Sequence, residues 1–141
     1  MSQSILFACN MNSVRSPMAA ALLRLNGVGD FRVDSAGVYE GGLDPFVEIV
    51  MKELDVSMEN HEPKPLEDID LAKFDIIVAL TPEAAVEARR HLPHESIEFW
   101  DVENPSGERG GREAIIESYR RVREDLAARL RRRFPELHEK P

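Results

Sequence analysis

Short apolar runs alternate with stretches in which apolar residues recur every three or four positions. Ile5-Leu6-Phe7-Ala8 has no polar break and predicts a buried strand. A helix is predicted over 16–26, with Pro17 in its first turn and Asn26-Gly27 at its end. Phe31-Arg32-Val33-Asp34 predicts a second strand, closed by Ser35-Ala36-Gly37. A second helix follows over 44–54, with Asp44 as its cap and Pro45 next. Residues 60–70 are polar and contain prolines, which predicts a loop. Phe74-Asp75-Ile76-Ile77-Val78-Ala79-Leu80 predicts a third strand, and Thr81-Pro82-Glu83 opens a helix ending near His91. A fourth strand is predicted over 97–102. The last helix covers roughly 112–134, with Ile115, Tyr119, Val122, Leu126 and Leu130 sharing one face, so it packs on something.

Strands alternating with helices imply an α/β fold with a parallel sheet. The chain shows no internal repeat, low-complexity tract or linker, so residues 1–141 form one domain. Ligands of such sheets bind beyond the carboxyl ends of the strands, beside a switch in strand order. Cys9-Asn10-Met11-Asn12-Ser13-Val14-Arg15-Ser16 occupies that place, after the first strand and before a helix N-terminus.

Composition narrows the possibilities. Hydrophobic content of 43% and charged content of 31% suit a soluble globular protein. The single cysteine excludes an internal disulfide and a multi-cysteine zinc site. The four histidines are scattered without a metal-ligand spacing, so neither a metal nor an organic cofactor is expected. The apolar run at 5–8 is too short for a signal-peptide core and lacks preceding basic residues. No segment reaches membrane-spanning length, so a cytoplasmic protein without membrane contact is expected. A net charge of −8 argues against nucleic acid as a partner. The same charge repels an anionic substrate, so a phosphate site needs a local positive field.

The Cys9-to-Arg15 loop supplies the means for such a field. A phosphate monoester is a dianion with three non-bridging oxygens to be held. A helix N-terminus offers unpaired N–H groups and partial positive charge. A loop curled ahead of it turns further N–H groups inward. The planar fork of Arg15 matches two oxygens at once. The same environment favours a thiolate at Cys9, so one loop binds the dianion and activates the nucleophile. Asn12 tolerates a left-handed backbone, and Ser16 can donate to the thiolate or cap the helix. The competing reading is a small buried core thiol at the end of a strand.

"CNMNSVRSPMAAALL" resembles the phosphate-binding loop of the low-molecular-weight protein tyrosine phosphatase family, which includes thioredoxin-linked arsenate reductases. "VDSAGV" is similar to its Ser-Ala-Gly segment, "FDIIVAL" to its third strand, and "FWDVENP" to a strand ending in Asp-Pro. The resemblance implies a single three-layer, flavodoxin-like phosphatase I fold. Its four-stranded parallel sheet, in the order 2-1-3-4, is flanked by helices. It implies Cys9 as nucleophile, Arg15 as phosphate clamp, Ser16 as the residue steadying the thiolate and Asn12 as the residue holding the loop. Asn10, Met11, Asn12, Ser13, Val14 and Arg15 would surround the substrate.

Three departures stand out. Met11 replaces the usual glycine and must turn outward, onto the rim of the pocket. Asn104-Pro105 replaces Asp-Pro, whose aspartate protonates the leaving oxygen and then activates water; asparagine transfers no proton. Asp101 and Glu103 are neighbours, but along an extended segment both point opposite to position 104. Ser106-Gly107 replaces aromatic residues that wall the slot for a phenyl ring; Tyr39 is the candidate for that wall. His61 is expected to hydrogen-bond structurally, and Arg131-Arg132-Arg133 to form a solvated helix end.

Three functions follow. The first is a cysteine-dependent phosphatase acting on phosphomonoesters, with phosphotyrosine protein or a small aryl phosphate as substrate and a Cys9 thiophosphate intermediate. The second is arsenate reduction, in which an external small thiol resolves the Cys9–arsenic adduct, since the chain has no further cysteine. The third is a weakly catalytic phosphate-binding module, favoured by Asn104.

Overall fold

The computed structural model describes residues 3–39 and 41–138. Four strands, β1 (Gln3–Cys9), β2 (Phe31–Gly37), β3 (Ile76–Ala79) and β4 (Ile97–Phe99), form one sheet in the order β2-β1-β3-β4. All three pairings are parallel, with Cys9 opposite Gly37 and Ala8 opposite Ala79. The fold is thus the single α/β domain with the 2-1-3-4 sheet that the resemblance implies. Strand order reverses beside β1, so the chain leaving Cys9 enters the crevice between neighbours that run to opposite sides.

Side chains of β1 alternate between two apolar layers, as the pleat requires. Ile5, Phe7 and Cys9 pack toward α1 (Arg15–Asn26), α2 (Pro45–Lys52) and α4 (Arg112–Arg133). Leu6 and Ala8 pack toward α3 (Pro82–Arg89) and toward Leu66 and Leu71. Both layers are closed, which is why β1 reads as an unbroken apolar run. Ser16 to Leu23 of α1 are all buried, and the Ala19-Ala20-Ala21 run lets the helix lie close to both sheet and α4. A short α5 (Pro135–His138) ends the described chain. Among the described residues no helix is long and apolar enough to cross a membrane.

Several boundaries differ from the sequence pattern, each for a local reason. β3 begins at Ile76: just before it the Asp75 N–H still donates to the Ser4 carbonyl at 3.0 Å, but the Ser4 N–H is taken at 2.8 Å by the Asp75 carboxylate instead of a backbone carbonyl. β4 ends at Phe99, opposite Ala79, the last residue of β3; the Trp100 N–H still donates to the Ala79 carbonyl at 2.8 Å. α2 ends at Lys52, and Asp55 adopts φ 60°. The predicted loop holds a 3-10 turn at Leu66–Asp68 that buries Leu66, and another turn follows at Leu71–Lys73. On α4 the buried residue of the first turns is Ile116, with Ile115 only packed against the core edge.

Candidate active site

β1 delivers Cys9 to the carboxyl edge of the sheet, and six positions later α1 begins. The intervening backbone is a tight curl. Asn12 lies at its centre with φ 54°, a conformation that asparagine tolerates better than most residues. Its side chain is fully buried and fully used. Nδ2 donates to Ser16 Oγ at 2.9 Å and to Ser35 Oγ at 3.0 Å, and Oδ1 accepts the Lys64 N–H at 3.0 Å. The Asn12 carbonyl meets His61 Nε2 at 3.0 Å. Burial pushes the His61 imidazole below its ordinary value, so the ring is neutral and Nε2 carries the proton it donates.

Two glycines make room for the curl. A Cβ at Gly37 would lie 2.6 Å from the Asn12 nitrogen and 2.8 Å from the Met11 carbonyl carbon, so the loop packs directly on β2 backbone. A Cβ at Gly41 would lie 2.9 Å from Met11 Cε; the methionine spreads across that glycine and stays on the exposed rim. The outer flank is fixed by Thr81, whose hydroxyl donates to Asn10 Oδ1 at 2.7 Å while accepting from the Ala84 N–H as the cap of α3. The Val38 and Tyr39 N–H groups bond the Cys9 and Asn10 carbonyls at 3.0 and 2.7 Å. With these carbonyls drawn outward, the remaining loop N–H groups are free to face the concave side.

Cys9 is 2% exposed, with Sγ 2.9 Å from Ser16 Oγ. The Ser16 hydroxyl proton has two acceptors in reach, this sulfur and the Ala36 carbonyl at 3.3 Å; toward a thiolate it is the donor. The first turn of α1 carries no acidic residue of its own, which leaves its positive end to the loop. Arg15 donates from Nη1 to the Val102 carbonyl at 3.0 Å, which anchors one side of the guanidinium. Its Nε is buried and unpartnered. A buried orphan donor is costly unless a ligand satisfies it, and a tetrahedral oxyanion does so.

A cavity of about 190 Å³ opens on this loop. Cys9, Asn10, Met11, Ser13, Val14 and Arg15 line it, together with Asp44, Asn104 and Ser106. Six of the eight loop residues singled out in the sequence therefore surround one small space. Asn12 and Ser16 lie beneath it as internal supports. Asn104 stands across from Cys9, but its Oδ1 accepts both the Ser106 N–H (3.1 Å) and hydroxyl (2.7 Å) and so caps the turn Pro105–Gly107. Asp101 and Glu103 are exposed and outside the cavity. Tyr39, expected as a pocket wall, instead lines a neighbouring groove with Pro82, Glu83 and Val86 and is 59% exposed. Sequence reasoning read Asp44 only as a helix cap and missed its place in the wall. It gave no role to Thr81 beyond a helix start. Among the described residues no cluster of three or more His, Cys, Asp or Glu side chains gathers to hold a metal.

Comparison with known proteins agrees with this arrangement. Residues 4–141 match the family described as low molecular weight phosphotyrosine protein phosphatase. An arsenate reductase of Bacillus subtilis (strain 168) is 30% identical over 127 residues, covering 90% of this chain and 91% of that protein. The low molecular weight protein tyrosine phosphatase of T. tengcongensis superposes with a TM-score of 0.79 at 24% identity, covering 96% of this chain and 99% of the other. The YwlE arginine phosphatase of Geobacillus stearothermophilus superposes with a TM-score of 0.76 at 24% identity, covering 99% of each. Relatives with one fold thus carry phosphatase and arsenate reductase names. The chain belongs to the low molecular weight phosphotyrosine protein phosphatase family.

Proposed function

We propose that the chain hydrolyses phosphomonoesters by covalent catalysis at Cys9. The Cys9 thiolate attacks phosphorus in line, a P–S bond forms, and the P–O bond to the leaving group breaks. Arg15 and the inward N–H groups hold the equatorial oxygens, whose charge grows in the transition state. Ser16 donates to the sulfur before attack and again when the thiolate departs. Water then cleaves the thiophosphate. Aryl phosphates, phosphotyrosine among them, are the favoured class because a phenolate departs without a strong acid at position 104. The observation that carries this reading is that Arg15 and a Cys9 sulfur paired to Ser16 belong to one small cavity at a helix N-terminus.

One observation favours a second reading. The only cysteine is Cys9, and a 30%-identical relative is named arsenate reductase. Arsenate has the shape and charge of phosphate. With an external small thiol, Cys9 displaces water from arsenic(V), and the thiol attacks Cys9 sulfur. Arsenite leaves with the electron pair and a mixed disulfide remains, which a second thiol reduces. The deciding experiment measures phosphate release from 4-nitrophenyl phosphate without thiol, and arsenite formation from arsenate with glutathione. Hydrolysis without thiol, lost in Cys9→Ser, supports the phosphatase; arsenite formation alone supports the reductase.

A further inference from the structure

The cavity has a carboxylate, and it is not where the family carries one. Position 104 is asparagine, and neither Asp101 nor Glu103 reaches the cavity. Asp44 lines it beside Cys9 and Arg15, and it is the only acidic residue of the lining. Resting on the hydrolytic reading above, we propose that Asp44 is the general base of the second step, aligning and deprotonating the water that cleaves the Cys9 thiophosphate.

Asp44 is held for this task from three sides. Its N–H donates to the Ser13 carbonyl at 3.0 Å, which ties the start of α2 to the catalytic loop. Oδ1 caps α2 by accepting the Phe46 N–H at 2.8 Å. Oδ2 accepts the Tyr119 hydroxyl of α4 at 2.6 Å. The two donors fix the orientation of the carboxylate at the start of α2. Each oxygen retains a lone pair for water. The charged and titratable groups that face it are Tyr119 from α4 and Arg15 and Cys9 from the loop; Arg112 of α4 lies over the Phe46 ring instead. Burial, with the Asp44 carboxylate adding to it, pushes the Tyr119 phenol well above its ordinary value, so it stays a donor.

The step balances without another reagent. The water oxygen attacks phosphorus, and its proton passes to Asp44. The P–S bond breaks and its electron pair returns to Cys9 as thiolate, received by the Ser16 hydroxyl. Phosphate leaves, and Asp44 returns its proton to solvent. Tyr119 acts through Asp44 and is a positioning residue.

Rapid-quench kinetics with 4-nitrophenyl phosphate test this. Asp44→Asn keeps Oδ1 for the Phe46 N–H and puts an NH2 where Oδ2 stood, which donates to the Tyr119 oxygen, so the cap survives while the base is lost. It should give a burst of about one nitrophenol per chain and then turn over about a hundredfold more slowly than the parent. Phosphoenzyme should accumulate, visible by intact-mass measurement. Tyr119→Phe removes the donor that orients Oδ2, so turnover should fall and phosphoenzyme should accumulate while the burst rate is kept; a merely structural loss would slow burst and turnover together. Steady-state turnover of Asp44→Asn equal to the parent overturns the assignment, as does loss of the burst itself or a Tyr119→Phe variant that accumulates no phosphoenzyme. A parent that releases no phosphate without thiol overturns the hydrolytic reading and this step together, a result separable from failure of Asp44→Asn alone.

Discussion

Asn104 separates what one residue can do from what its position invites. It faces the cavity across from Cys9, yet its oxygen caps a turn and its amide has no proton to give to a leaving phenolate. The parent should therefore depend steeply on leaving-group acidity. Asn104→Asp keeps an oxygen for the Ser106 N–H and hydroxyl, so the turn persists, and it adds an acid. Turnover should rise by up to about a hundredfold for poor leaving groups and little for 4-nitrophenyl phosphate. A flat leaving-group dependence in the parent, with no gain in the variant, would sink the missing-acid account. Cys9 and Arg15 were legible in the sequence because their chemistry and spacing lie within one short loop. Asp44 was not, because thirty-five positions and a strand separate it from Cys9 and only the fold joins them. Tyr39 was expected as a wall because it lies in the loop after the second strand; its N–H bonds the Asn10 carbonyl while the residue lines the groove of Pro82 and Val86.

At the scale of elements, the loop keeps its shape because β2 presents bare backbone to it. Gly37→Ala puts a methyl 2.6 Å from the Asn12 nitrogen, where backbone cannot yield. Such overpacking costs about 1–3 kcal/mol. Urea denaturation should show that loss, and turnover should fall because the loop N–H groups shift. Gly42→Ala meets nothing within 4 Å and should stay within about 0.5 kcal/mol, a control for the substitution itself. His61 supports the same loop from the opposite side. Its folded value lies below 6.5, so between the two values the unfolded chain binds more protons than the folded one. Stability from the neutral ring is thus full above pH about 6.5 and declines as pH falls through that value. His61→Gln keeps a donor for the Asn12 carbonyl but does not titrate. The difference in urea midpoint between parent and His61→Gln should be constant above about pH 6.5 and move against the parent below it; a constant difference down to pH 5 would mean that folding leaves the His61 titration unshifted. The strands and long helices were legible because apolar runs and helical spacing record burial directly. Their ends were not, because they are set by partners distant in sequence: the Asp75 carboxylate takes the Ser4 N–H, and β4 ends where its partner β3 ends.

The whole molecule presents a conflict between field and site. The net charge is −8, while the proposed substrate class is dianionic. Inside the cavity Arg15, the α1 N-terminus and the loop N–H groups act at contact distance, where mobile ions do not screen them. The remaining charge acts from farther away. At about 0.15 M salt the Debye length is about 8 Å, so most of that repulsion is removed; at about 0.01 M it reaches about 30 Å and opposes approach. Encounter and chemistry should therefore respond differently. For 4-nitrophenyl phosphate, kcat/KM should rise from low to moderate ionic strength while kcat stays level, because only the approach of the dianion is hindered by distant charge. The sign matters: an enzyme whose surface steers its substrate shows a fall instead. The measurement is made with sodium chloride between about 0.01 and 0.15 M at fixed pH, the interval over which the Debye length changes most. A parallel series with a neutral osmolyte of equal osmolality separates screening from solvent effects. A fall in kcat/KM across the series would show that the local positive end of α1 and Arg15 govern capture from a distance, and that the −8 total has no influence on it.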